Sequence, residues 1–416
     1  MQNLCAWQAF FNNSMHSGIY ISVPFCRSKC TYCNFASGVF SAGQMGHYVE
    51  RVIEDTQSIR AFAAEIGAVV PESSDSIYLG GGTPSLLPPD DLKKLFSAIR
   101  QKFAVAPNTE ITVECAPGTL ADPVIETLTA LGVNRVSLGV QSFVDKEAAS
   151  VARLHTREKT LSDIDRLRQA GISNINVDLI AGLPHQTRES WQYSLDQTIA
   201  TGVPHVSIYM LEVDEDSRLG RELIAGGTKY HAHFVPDDDL TAEFYETACE
   251  CLNAAGVQQY EISNFARTGF ESRHNLKYWT RQPYLGFGVD AHSMLAAGDH
   301  KRAAGTASVR LATTDDYDRY FIAPEWKSDV VKRQQALEES FFLGLRLNRG
   351  VDLGRLREEF GEESKRYDEA IAELEADGLL QYSAGNLRLT PRGRLLSNEV
   401  FEKFIAEQKF TISTRE

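Results

Sequence analysis

The chain has 416 residues, enough for one large domain and a smaller one, and 43% of them are hydrophobic against 24% charged. A formal net charge of −14 excludes phosphate backbones and anionic membranes as general partners, because both require basic surface. No nucleic-acid partner is expected, and function has to reside in a site.

The stretch from Met1 to His16 carries no Lys or Arg, and the first basic residue is Arg27. It lacks the basic start of a secretory signal, and no apolar run reaches the roughly 18 residues of a membrane span. A cytoplasmic, reducing location is expected. Residues 1–18 read as an N-terminal arm.

From residue 19 to about 262, short β-rich runs alternate with helical patterns. The strands are expected at Ile19–Phe25, Ser76–Leu79, Glu110–Cys115, Arg135–Val140, Asn174–Ile180 and His205–Met210. Helical spacing fills the intervals, as at Asp90–Phe103 and Glu189–Ala200. Six β–α units in series predict a curved parallel sheet with its helices outside. Within each strand one set of alternate residues is apolar (Ile19, Ile21, Val23; Ile175, Val177, Leu179). The other set is polar or small (Tyr20, Ser22; Asn174, Asn176, Asp178). A closed barrel fills its interior with branched apolar side chains, and inward Glu114, Gln141 and Asp178 do not suit that role. The expectation is an open partial (β/α)6 barrel around a polar ligand.

Seven cysteines are present, and three crowd into Cys26-Arg-Ser-Lys-Cys30-Thr-Tyr-Cys33, directly after the first strand. Dispersed disulfide pairing does not produce that pattern. Cys5, Cys115, Cys249 and Cys251 read as ordinary small residues. A structural zinc site would want a fourth ligand that the neighbouring sequence does not offer. Three thiolates suit a four-iron–four-sulfur cubane, leaving one iron open to an outside ligand. After the second strand come Gly80-Gly81-Gly82-Thr83-Pro84, where bare backbone lets a ligand approach closely.

Residues 263–323 extend the barrel and contain His274-Asn275-Leu276-Lys277-Tyr278-Trp279. Out of context a histidine in such a run reads more often as a hydrogen-bonded core residue than as a ligand. His292 is a second histidine, better suited to a structural role. From 324 to 416 the pattern is helices at Val331–Leu347, Leu353–Phe360 and Ser364–Asp377, then a small hairpin and a helix from Pro391. This predicts a winged-helix-like α+β domain. Its third helix bears Asp368, Glu369, Glu373, Glu375 and Asp377, so it would repel phosphate and reads as a docking or lid module.

The C-x3-C-x2-C cluster after a strand resembles the radical SAM superfamily, whose fourth iron chelates S-adenosylmethionine (SAM). In that superfamily reductive cleavage of SAM yields a 5′-deoxyadenosyl radical. The resemblance implies that Cys26, Cys30 and Cys33 hold the cluster. It implies SAM contacts from Tyr20, Gly81, Gly82, Thr83, Glu114, Gln141, Arg153 and Asp178. Gly139-Val-Gln-Ser-Phe143, Asp178-Leu-Ile-Ala-Gly-Leu-Pro184 and Tyr260-Glu-Ile-Ser-Asn-Phe265 resemble the coproporphyrinogen-dehydrogenase-like group. Within it, Phe35, where the dehydrogenases carry a fourth cysteine, and the HNxxYW run at 274–279 are similar to the HemW-type heme chaperones. Ser22 and Cys115-Ala-Pro depart from the group's usual residues. The resemblance implies heme bound through His274, Tyr278 and Trp279 and delivered to acceptors such as respiratory enzymes. A homodimer and transient membrane association through partners are compatible with it. The rivals are an oxygen-independent coproporphyrinogen III dehydrogenase and a radical SAM methyltransferase or heme-opening enzyme.

Overall fold

The computed structural model describes residues 16–322 and 326–405. Cys5, most of the expected arm and the expected boundary at Pro324 lie outside the described residues.

The six expected strands form, at β1 (His16–Val23), β2 (Ser73–Gly81), β3 (Ala104–Cys115), β4 (Arg135–Gln141), β5 (Asn174–Ala181) and β6 (His205–Met210). Neighbours pair in parallel and in chain order, from Ile19 opposite Ile77 to Val177 opposite Val206. The connections are helical, including α1 (Ala42–Glu65), α2 (Pro89–Lys102), α3 (Asp122–Ala130), α4 (Arg157–Gln169) and α5 (Arg188–Thr201). This parity sorts the side chains as the sequence implies. Ile21, Leu79, Val113, Val136, Val177 and Leu179 are fully buried among the other apolar residues of the main core. The alternate residues are buried too: Ser76, Thr112, Ser137, Asn176 and Gln141 are all shielded from solvent. The polar face lines a sheltered interior that is not sealed: Tyr20, Tyr78, Glu114 and Asp178 are half-buried and Tyr209 is exposed.

The sheet continues beyond six strands on both edges. β7 (Asn264–Ala266) runs antiparallel to β6, and β8 (Tyr284–Phe287) runs parallel to β1. β9 (His292–Ala297), β10 (Thr306–Ala312) and β11 (Lys327–Lys332) follow antiparallel. The helix expected from Val331 therefore starts at Arg333, because Val330 and Val331 are paired in β11. The backbone N–H of Lys332 meets the side chain of Gln335, which caps the helix Arg333–Leu345.

The C-terminal unit has its own core, with Leu337, Phe341, Leu356, Phe360, Leu374, Leu387 and Phe404 buried together. Its three-stranded sheet orders Val351–Asp352, Asn386–Leu389 and Leu380–Ser383, which adds one strand to the expected hairpin. The acidic residues of the helix Asp368–Ala376 face solvent. No described helix is long and apolar enough to cross a membrane.

Candidate functional site

The cluster loop leaves β1 at the carboxyl end of the barrel. The backbone N–H of Cys26 donates to Gly38 O (2.8 Å) and Gly38 N–H returns to Pro24 O (2.8 Å), so the loop is closed at its base. Its middle is tied to the β4–α4 connection, by Thr31 N–H to Val151 O (3.4 Å) and by Ser28 Oγ to Ala152 O (3.0 Å). Thr83 Oγ1 lies 3.9 Å from Cys26 Sγ, and Ser37 Oγ 3.9 Å from Cys33 Sγ. Burial pushes the Cys26 thiol up, against the hydrogen bonds of Ser37 and Thr83 and with the help of Cys30 and Cys33 nearby. An electropositive group is what such a set of thiolates needs. Among the described residues no three Cys, His, Asp or Glu side chains converge as ligands of one ion. A cubane makes a different demand, since each thiolate binds its own iron. Phe35 is 60% exposed beside this loop.

The glycine run crosses directly over the loop. Gly82 N–H bonds Val23 O (2.8 Å) and Thr83 N–H bonds Phe25 O (2.7 Å). A β-carbon on Gly82 would stand 2.8 Å from the carbonyl oxygens of both Val23 and Phe25. Gly81 has φ +100°, a backbone open to glycine and costly for other residues. Gly82→Ala should therefore destabilise the fold by about 2 kcal/mol, because rigid backbone must move to admit the methyl. Chemical denaturation of the purified variant measures this, and an unchanged midpoint would refute the close approach.

The expected SAM residues gather inside the barrel beneath that run. Glu114 accepts from Tyr78 OH (2.7 Å) and Gly81 N–H (3.1 Å). Burial raises its carboxyl to about 7, opposed by the Tyr78 hydrogen bond and helped by Asp178. Asp178 accepts from Ser137 Oγ (3.0 Å) and Asn176 Nδ2 (2.7 Å), and burial raises it as well. Tyr20 stacks against Tyr78, 6.0 Å between ring centres. Gln141 holds φ +68° and Arg153 donates to Tyr32 OH (3.1 Å). The two meet over Gly139, where a β-carbon would stand 3.1 Å from Gln141 Nε2 and 3.4 Å from an Arg153 terminal nitrogen. Gln141 Oε1 and Arg153 Nε are buried without a protein partner. Burial opposes the charge on Arg153, but Tyr32, Cys30 and Cys26 more than restore it. A buried cation, a buried orphan amide oxygen and a half-neutral carboxyl beside three thiols fit a ligand that carries a carboxylate, an amine and hydroxyls. SAM is such a molecule.

The HNxxYW run lies elsewhere. It forms α6 (Arg273–Trp279), seated under the amino ends of β2 and β3. Glu110, at the start of the regular part of β3, accepts from the backbone N–H of Arg273 (3.1 Å) and His274 (3.0 Å), which a helix N-terminus favours. Lys277 pairs with Asp75 at 2.7 Å. His274 is thereby inserted into the barrel floor with both ring nitrogens engaged. Nδ1 meets Ser76 Oγ at 3.0 Å and Nε2 meets Tyr278 OH at 2.9 Å. Burial, then Lys277 and Arg135, lowers its pKa to about 3, so it stays neutral. Tyr78 links the two regions: its ring centre is 5.2 Å from that of His274, and its hydroxyl reaches Glu114. Trp279 lies under the Arg346 guanidinium (4.3 Å), and Arg346 approaches buried Glu261 (3.6 Å). The C-terminal unit thus rests directly on the HNxxYW helix. His292 is exposed and 3.9 Å from Asp290.

The sequence reading missed the floor itself. Arg135, His205 and Tyr260 complete it, with His205 bridging Asn176 (2.6 Å) and Tyr260 OH (3.0 Å). Arg135 does continue the inward parity of Ser137, Gly139 and Gln141, and that signal was available.

A sequence profile of the Radical SAM superfamily matches residues 20–197, and one of the HemN C-terminal domain matches residues 331–396. The fold resembles that of Escherichia coli coproporphyrinogen III oxidase (HemN), described as a radical SAM enzyme. The TM-score is 0.78 over 96% of this chain and 93% of that one, at 22% identity. Fold and site together define a radical SAM protein. Over nearly its whole length the chain is also similar to proteins named heme chaperone HemW. It is 34% identical to that of Lactococcus lactis over 93% of this chain and 97% of the relative. It is 32% identical to that of Escherichia coli over 94% and 98%. The chain belongs to the HemW family of heme chaperones.

Proposed function

We propose that the chain binds heme and passes it to acceptor proteins, respiratory enzymes among them, from the cytoplasm. The cluster would rest on Cys26, Cys30 and Cys33. SAM would lie against Tyr20, Gly81, Gly82 and Thr83, with Arg153 toward its carboxylate, Glu114 toward its amine, and Gln141 and Asp178 toward its hydroxyls. When bound, the cluster supplies electron-transfer chemistry and an open iron for SAM.

The observation that carries the reading is the neutral, fully buried His274 held by Tyr278 in one helix with Trp279. A neutral imidazole is the ligating form, and it needs only one hydrogen bond to break to expose Nε2. In the present arrangement Tyr278 closes that nitrogen off, so heme ligation includes its displacement. Because Trp279 packs under Arg346 of the C-terminal unit, that opening would be felt there.

The test is an anaerobic heme titration of cluster-reconstituted protein, wild type against His274→Ala, followed by absorption. Saturable binding with an altered ligation spectrum in the variant is expected. Absence of saturable binding to the wild type would sink the chaperone reading and turn attention to porphyrinogen decarboxylation.

A further inference from the structure

We infer that His185 and His231 form a chelating pair for one divalent transition-metal ion of zinc-like coordination, separate from the cluster. His185 sits in the loop after β5, and His231 precedes the short 3-10 turn Ala232–Phe234. Their facing nitrogens, Nε2 of His185 and Nδ1 of His231, are 3.4 Å apart, with the rings inclined at 61°. Two ligands of a tetrahedral ion with metal–nitrogen bonds of about 2.0–2.1 Å lie roughly 3.3 Å from each other. The pair is also within hydrogen-bonding reach, at a separation longer than the usual value of about 2.9–3.0 Å. The observed spacing matches the bite of a metal site.

The backbone on both sides is built to hold it. His185 and His231 both adopt left-handed conformations, at φ +72° and +64°, which side chains other than glycine visit at a cost. Gln186 pins the first loop by accepting from Gly182 N–H (2.7 Å) and Leu183 N–H (3.0 Å). Buried Glu222 brackets the second histidine, accepting from the N–H groups of Tyr230 (2.7 Å) and Ala232 (3.2 Å). The two segments are joined by His185 N–H to Phe234 O at 3.0 Å. These bonds fix the backbone from which the two imidazoles project.

The charges are compatible with a dication. Burial, then Lys146, His231 and His233, hold His185 below its ordinary range, so it stays in the neutral ligating form. Lys146 opposes a positive ion, and the Glu222 carboxylate behind His231 offsets it. Among the described residues no third Cys, His, Asp or Glu side chain converges on the pair, so water would complete the shell. Adjacent nitrogens cannot both be axial ligands of one heme iron, because those lie on opposite faces of the macrocycle. Metal binding would staple the β5 loop to the turn that borders a cavity of about 350 Å³ lined by Gly182, Leu211, Val213, Leu223 and Val235.

The experiment uses the full chain with its cluster reconstituted, so that Cys26, Cys30 and Cys33 are occupied, and stripped of loosely held metal. Zn²⁺ is titrated against a chromogenic chelator, with His185→Asn and His231→Asn compared. Asparagine tolerates the left-handed backbone, which keeps both loops formed. One equivalent should bind the wild type, and each variant should lose at least about 100-fold in affinity with iron content unchanged. Zn²⁺ should also raise the melting temperature of the wild type alone. Equal binding by wild type and both variants, or no stoichiometric binding by the wild type, overturns the site. So does a variant that leaves Zn²⁺ affinity intact but alters the heme spectrum.

Discussion

Tyr278→Phe should bind heme roughly tenfold more tightly than the wild type, while His274→Ala should lose the ligation altogether. The opposite signs follow from one hydrogen bond. In the closed arrangement His274 Nε2 is occupied by Tyr278 OH at 2.9 Å. Any outside iron has to displace that hydroxyl and leave it buried. Leaving a buried donor unmade costs about 1–3 kcal/mol, and about 1.4 kcal/mol is a factor of ten in affinity. Phenylalanine removes the competitor in advance. His274→Ala acts differently, because it removes the ligand and also strands Ser76 Oγ, Tyr278 OH and a cavity between Tyr20 and Tyr78. It should therefore cost about 3 kcal/mol of stability besides. Heme titration and denaturation of the two variants separate the contributions. If Tyr278→Phe weakens heme binding, the pair is a structural plug and the ligand lies elsewhere.

The barrel was legible because a parallel strand carries its instructions locally. Alternation at Ile175, Val177 and Leu179 against Asn174, Asn176 and Asp178 fixes which face meets helices, whatever the neighbours are. The cysteine spacing and the glycine run were legible for the same reason: each is a short segment fixed by the strand before it. The floor was not. His274 reaches Ser76 across 198 residues, and its helix is anchored by Glu110 across 164. Nothing in the run His-Asn-Leu-Lys-Tyr-Trp says which end of the barrel it will close. That depends on Asp75 and Glu110 meeting Lys277 and the helix N-terminus, which only the folded chain brings about. The extra strand β11 was lost to a related ambiguity. Val331 stands at the edge of a helical pattern and reads as its first residue, although its partner in β10 decides otherwise.

SAM should bind more tightly as the pH rises from 6 to 8, and Glu114→Gln should flatten that dependence. Burial raises the Glu114 carboxyl to about 7, with Asp178 adding to it and Tyr78 and Gly81 resisting. Near pH 6 the site therefore presents mostly a neutral acid, and near pH 8 a carboxylate able to hold a cationic amine. The same shift acts on stability with the opposite slope. Between the unfolded value of 4.5 and about 7 the folded chain keeps a proton that the unfolded chain has lost. Stability therefore falls across that window, by about 3 kcal/mol in total, and stays lower above it. Glutamine has no proton to lose, so the variant should gain on the wild type as the pH climbs through the window. Isothermal titration with SAM and parallel denaturation at four pH values read both effects. A variant that tracks the wild type in each would show that Glu114 is already ionised in the folded chain. The tension is functional in origin: a carboxylate that destabilises the empty barrel at neutral pH is poised for a cation to relieve it. The ligand then does for Glu114 what Tyr78 and Gly81 do only in part.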